Sequence, residues 1–151
     1  MLLCVKIIES KDGAEVEMMN DRPLKIYIFY CANSLDIEAL RRCCGQQTDD
    51  LLKTISLPCS GKMEIIYLLK SFETGADGVI LITCPKGECR HLEGNLRAHK
   101  RAQAVRALLE ETGMARDCMH VTHFNKEGAV EQIASEIRHF CTRIRNKKNP
   151  S

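Results

Sequence analysis

Nine cysteines among 151 residues dominate the reactive side chains of this chain. Two stand close together in LITCPKGECRHLEGN, as Cys84 and Cys89, while Cys31 in IFYCANS and Cys59 in SLPCSGK stand alone. A C-x4-C pair can close a disulfide, clip a zinc ion, cycle as a redox dithiol or supply half of an iron–sulfur site. The opening MLLCVKIIESKDG has no basic n-region, long apolar core or small-residue cleavage site, so no secretory leader is expected. In the cytoplasm thiols stay reduced, and the odd cysteine count argues against a complete disulfide framework. A C-x-x-C redox motif is missing, because position 34, where CANS would need its second cysteine, is Ser34. Hydrolytic and phosphate signatures are missing too: there is no HExxH, and CSGK lacks the earlier glycine of a phosphate loop.

Soft-metal ligation is the stronger reading, with a thiol redox role the weaker one. Structural zinc sites usually draw their thiolates from two close pairs. This chain has one close pair and two single thiols, and a domain of its size does not need zinc to fold. Iron–sulfur sites accept such dispersed ligation, with a four-residue spacer among their known spacings. The spacing favours iron–sulfur over zinc and leaves the cluster type open.

For these thiols to meet, the fold must bring them together. KIYIFY (25–30) and DGVILITC (77–84) are continuous apolar runs of the kind found in strands buried on both faces. LLKTISLP (51–58) is a weaker strand signal, and CMHVTHF (118–124) reads as a fourth strand. Helical stripes alternate with them. Leu35, Ala39, Leu40, Cys43 and Cys44 share one side of a helix starting near Ser34. Ile65, Ile66, Leu69 and Phe72 mark a second helix ending at Gly75. Ala98, Ala102, Val105 and Leu109 mark a third, ending at Gly113, and Val130, Ile133, Ile137, Phe140 and Ile144 a fourth. Repeated strand–helix alternation predicts an α/β fold: one three-layer domain with a mostly parallel four-stranded sheet, flavodoxin-like or similar.

The expected domain runs over 25–146. A lead of 1–24 precedes it, either a partner-docking arm or a stretch ahead of a true start at Met18 or Met19, and a frayed basic tail of 147–151 follows. In a parallel sheet Cys31, Cys59 and Cys84 each end or directly follow a strand, on the edge where such sheets bind ligands, with Cys89 in the loop beyond. The other five, Cys4, Cys43, Cys44, Cys118 and Cys141, read as small core residues.

A formal net charge of +2 and 5% aromatic residues give no nucleic-acid footprint, and no apolar run approaches the ~18 residues of a membrane span. Arg90, His91, Arg97, His99, Lys100 and Arg101 give the segment after Cys89 a positive face. That face reads as a solvated helix surface, as a surface for an acidic partner, or as cations that raise the potential of a metal centre by stabilising its reduced form. His91 as a Rieske-type ligand would need a second histidine beside the thiols. Pro58 and Pro85 shape the turns that aim the thiols, and Gly61 and Gly87 let backbone approach them.

FYCANS, LPCSGKM, SFETGADGVILITCPKGECRHLEGN and RAHKRAQAVRALLEETGM resemble the iron–sulfur delta subunit family of methyl-viologen-reducing (F420-non-reducing) hydrogenases. The resemblance covers about Lys25 to Phe140. It implies an α/β electron-transfer subunit, not itself catalytic, with a [2Fe–2S] cluster on Cys31, Cys59, Cys84 and Cys89. It further implies an anaerobic, cytoplasmic setting and a large electron-bifurcating assembly. There the subunit relays electrons between a redox partner and the flavin subunit of a heterodisulfide reductase. Two departures from the family pattern, Ser34 in place of a cysteine and CRH (89–91) in place of C-H-Y, suit a paralogue serving another donor such as formate dehydrogenase. The alternative is a structural adaptor, zinc-bound or metal-free, that docks an oxidoreductase to its flavoprotein partner.

Overall fold

The computed structural model describes residues 23–32, 35–45, 50–84, 89, 93–124 and 129–148. Residues 1–22 with Cys4 among them, Ser34, Pro85, Gly87, Arg90, His91 and the last three residues lie outside that set. Strands β1 (Lys25–Cys31), β2 (Leu51–Leu57), β3 (Gly78–Thr83) and β4 (Met119–His123) alternate with four helices. These are α1 (Ile37–Gly45), α2 (Ile65–Glu73), α3 (Gly94–Glu111) and α4 (Ala129–Lys148). The strands form one sheet in the order β2-β1-β3-β4, and every pair is parallel. The expected α/β architecture is therefore present, with the reversal of strand order between β1 and β3.

The central strands explain the continuous apolar runs. β3 is buried along its whole length, and β1 from Ile26 onward. Alternate residues serve opposite faces, as the two-residue period of a strand requires. Ile26, Ile28, Tyr30, Ile80 and Ile82 pack with α1 and α4, through Leu40, Ile133, Ile137, Phe140 and Ile144. Tyr27, Phe29, Val79 and Leu81 pack with α2 and α3, through Leu68, Ala98, Ala102, Val105 and Leu109. Each face thus has its own core. β2 is an edge strand, half-exposed along its length, which is why its sequence signal was weak.

On α2 the buried stripe is rotated from the expected one. Leu68 is fully buried and Ile65, Leu69 and Phe72 pack beside it, but Ile66 is 53% exposed. Both glycine stops are present: Gly75 (φ 96°) follows α2 and Gly113 (φ 85°) follows α3.

The lower ends of the strands are pinned by charge. Asp50 accepts from the Leu24 N–H and Asp77 from the Lys25 N–H, and both are contacted by the last turn of α4, through Arg145 and Lys148. Lys147 pairs with Asp117 ahead of β4. The cations at the end of α4 are therefore fold contacts, and not a free basic patch.

Candidate metal centre

The upper ends of β1, β2 and β3 deliver the four thiols. Tyr30 is level with Ser56 on one side and Ile82 on the other. Cys31, Cys59 and Cys84 lie one, three and two residues beyond that row, at the reversal of strand order where open α/β sheets form crevices. Cys31 continues the Tyr27–Phe29 alternation, so its side chain leaves the sheet toward the face of α2 and α3. With Cys89 these residues form a separate buried cluster of four cysteines, none more than 9% exposed.

Within the cluster the sulfurs form two pairs. Cys31 Sγ and Cys84 Sγ are 3.5 Å apart. Cys59 Sγ and Cys89 Sγ both lie against Gly94. Two thiolates on one tetrahedral metal, with metal–sulfur bonds of about 2.3 Å, would be separated by ~3.8 Å. Among the described residues, no group of three or more histidine, cysteine or carboxylate side chains is placed to hold one metal ion. Four buried thiols, two of them at nearly this separation, are a donor set for a soft metal centre.

Backbone encloses the second pair. Cys59 opens the short 3-10 turn Ser60–Lys62, and its Sγ accepts from the Gly61 N–H at 3.4 Å. Gly94 begins α3 against both sulfurs: a Cβ there would lie 2.5 Å from Cys59 Sγ and 3.0 Å from Cys89 Sγ. A Cβ on Gly61 would lie 2.6 Å from Gly94 Cα, so the two glycine backbones touch. Asn95, 3% exposed, donates from Nδ2 to the Cys84 carbonyl at 3.3 Å. A cavity of about 210 Å3 opens beside this pair, lined by Cys59, Gly61, Lys62, Gly94 and Arg97. The N-terminus of α3, the Gly61 N–H and two cationic side chains thus surround one side of the cluster. Such groups favour negative charge on sulfur.

Burial pushes the Cys84 thiol up to about 12, with the hydrogen bond and charge of Cys31 adding to it. Burial likewise raises Cys59, partly opposed by the Gly61 N–H. A reactive redox thiol needs the opposite, a lowered pKa and access. Crowded buried thiols become thiolates together when a metal cation replaces their protons.

The remaining described cysteines do not join the site. Cys44 and Cys141 lie in the α1–α4 core, and Cys43 and Cys118 are half-buried against it. The positive face expected along α3 is only partly a face: Arg97 and Lys100 are exposed, but His99 and Arg101 are half-buried. Arg101 turns inward and donates to the carbonyls of Gly61 and Met63. Sequence reading placed Arg101 only among the cations of the positive face and gave Gly94 no role in the site. The one available signal was the seven-residue interval that puts both on one side of α3.

Over residues 26–146 the chain matches the family model described as methyl-viologen-reducing hydrogenase, delta subunit. It is 32% identical over 93 residues to the vhu iron-sulfur subunit of the F420-non-reducing hydrogenase of Methanocaldococcus jannaschii, covering 62% of this chain and 69% of that protein. It is 38% identical over 63 residues to the iron-sulfur subunit of the F420-non-reducing hydrogenase of Archaeoglobus profundus, covering 42% and 46%. A third stretch of 63 residues is 30% identical to a subunit of the Ferredoxin:CoB-CoM heterodisulfide reductase of Methanosarcina mazei, 42% of this chain and 8% of that one.

Proposed function

The chain belongs to the methyl-viologen-reducing hydrogenase delta subunit family, and on that premise we propose that it is an electron-transfer subunit holding a [2Fe–2S] cluster on Cys31, Cys59, Cys84 and Cys89. It relays electrons between a redox partner, a hydrogenase, formate dehydrogenase or similar enzyme, and the flavin subunit of a heterodisulfide reductase-like bifurcating complex. The observation that carries this reading is the convergence of four buried cysteines at the strand ends, two of their sulfurs 3.5 Å apart. When bound, the cluster supplies one-electron redox chemistry. The chain's own residues do the rest. Cys31 and Cys84 would hold one iron and Cys59 and Cys89 the other. The Gly61 N–H and the start of α3 stabilise charge on the Cys59 sulfur. Burial of Cys31, 2% exposed, keeps water from its sulfur.

The names of its relatives support this assignment: several are iron–sulfur subunits of F420-non-reducing hydrogenases, and one belongs to a heterodisulfide reductase. No helix of the described residues is long and apolar enough to cross a membrane. We assign the protein to the cytoplasm of an anaerobe, where its thiols remain reduced.

The test is metal and sulfide analysis of anaerobically purified protein, with visible and EPR spectra. Two irons and two acid-labile sulfides per chain, with an EPR signal on reduction, are expected. Stoichiometric zinc without iron would replace this reading with that of a structural adaptor.

A further inference from the structure

We infer that Arg101 is a positioning residue of the metal centre: it bolts the Cys59 turn to α3 and so holds Cys59 in register with Cys89. The inference rests on the proposed cluster. Arg101 follows Gly94 by seven residues, two turns along the same side of α3. Its Nη1 donates to the Gly61 carbonyl at 2.6 Å and to the Met63 carbonyl at 2.6 Å. Gly61 is the middle residue of the 3-10 turn that Cys59 opens, and Met63 caps its end.

The same turn meets α3 a second time through the Gly61–Gly94 backbone contact, at the level of the sulfurs. Arg101 reaches back along α3 to this same turn, so the Gly61 and Met63 carbonyls are held as well as the glycine backbone contact, and together these attachments stop the turn from pivoting. With the glycine contact alone, the turn can rotate about it and carry Cys59 Sγ away from Cys89. Metal–thiolate distances hold to about 0.2 Å, so a small rotation is enough to weaken the site. Arg101 is therefore not one of the solvated cations of α3, and it acts on the cluster only through backbone.

Arg106 provides the comparison. It is also a half-buried arginine of α3 donating to a backbone carbonyl, that of Met119 at 3.0 Å, but this carbonyl lies at the lower end of β4. Loss of either arginine removes a charged hydrogen bond from the fold, and only loss of Arg101 frees the Cys59 turn.

The experiment loads wild type, R101Q, R101K and R106Q with cluster. It follows iron release to excess ferrous chelator by visible absorption, records the visible circular dichroism of each loaded protein, and measures urea midpoints of the metal-free chains. R101Q is expected to release iron about tenfold faster than wild type, the factor carried by one charged hydrogen bond, and to show an altered dichroism. R101K should recover most of both, because a single nitrogen serves both carbonyls in the wild type. R106Q should have a lowered urea midpoint and wild-type release. R101M, which keeps the apolar stem, is measured alongside in case R101Q does not fold. Equal acceleration in R101Q and R106Q, or wild-type release from both R101Q and R101M, overturns the positioning role while the cluster assignment stands. A wild-type chain that takes up no iron and sulfide overturns both.

Discussion

Gly94→Ala is the sharpest perturbation of the site. The added Cβ lies 2.5 Å from Cys59 Sγ and 3.0 Å from Cys89 Sγ. Non-bonded heavy atoms settle at about 3.5 Å or more, so the Cys59 sulfur or the start of α3 must move by ~1 Å. That displacement is several times the ~0.2 Å tolerance of a metal–thiolate bond. Retreat of the helix is obstructed, because α3 is held by the Asn95–Cys84 carbonyl bond and by Arg101. Overpacking of this kind costs about 1–3 kcal/mol. Alanine's better helix propensity returns at most about 1 kcal/mol, and less in the first turn. The metal-free variant should thus lose ~1 kcal/mol in urea denaturation, while cluster content falls to a small fraction of wild type in iron and sulfide assays. Gly75→Ala serves as the control. A Cβ there meets nothing within 4 Å, but its φ of 96° is strained for alanine, costing about 1 kcal/mol with the cluster intact. A Gly94→Ala protein with wild-type iron, sulfide and visible spectrum would refute the close approach of helix and thiolates.

Three further predictions concern the thiols and the lower end of the sheet. Serine at Cys31, Cys59, Cys84 or Cys89 should each bleach the visible spectrum of the anaerobically loaded protein, while Cys43→Ser and Cys141→Ser leave it intact. Asp50→Ala removes a fully buried carboxylate that serves Arg145 and the Leu24 N–H, and should cost about 1.5–3 kcal/mol in denaturant titration, since Arg145 is partly exposed and can be solvated. Burial, opposed in part by Glu136, lowers the pKa of His120 below its ordinary value of 6.5. The unfolded chain therefore binds this proton more readily. The resulting stability is present above pH 6.5 and is lost as pH falls toward the folded pKa. His99 is shifted in the same direction, chiefly by burial. The urea midpoint should decline as pH falls below about 6.5, and His120→Gln should flatten that decline.

Much of this architecture was legible because strong local patterns and global packing agree. The stripe Ala98–Ala102–Val105–Leu109 is buried as its spacing required, and the continuous runs of β1 and β3 are the two central strands. The convergence of Cys31, Cys59 and Cys84 followed from one rule about parallel sheets. What was not legible depends on contacts between segments distant in sequence. Ile66 and Leu68 are equally apolar, and only the position of α2 over Phe29 and Leu81 buries one and exposes the other. Arg101 reads as one more surface cation until Gly61 and Met63, about forty residues away, are placed beneath it. The cations ending α4 could not be matched to Asp50, Asp77 and Asp117 before the sheet order was known.

Those three carboxylates have a consequence for the life history of the protein. The lower rim of the sheet is staked by its own charges, and both cores are complete without any contribution from the thiol end. The chain is therefore expected to reach its native shape before iron arrives, and cluster delivery would then meet a finished receptacle. Under iron starvation it should accumulate as a folded protein without its cluster.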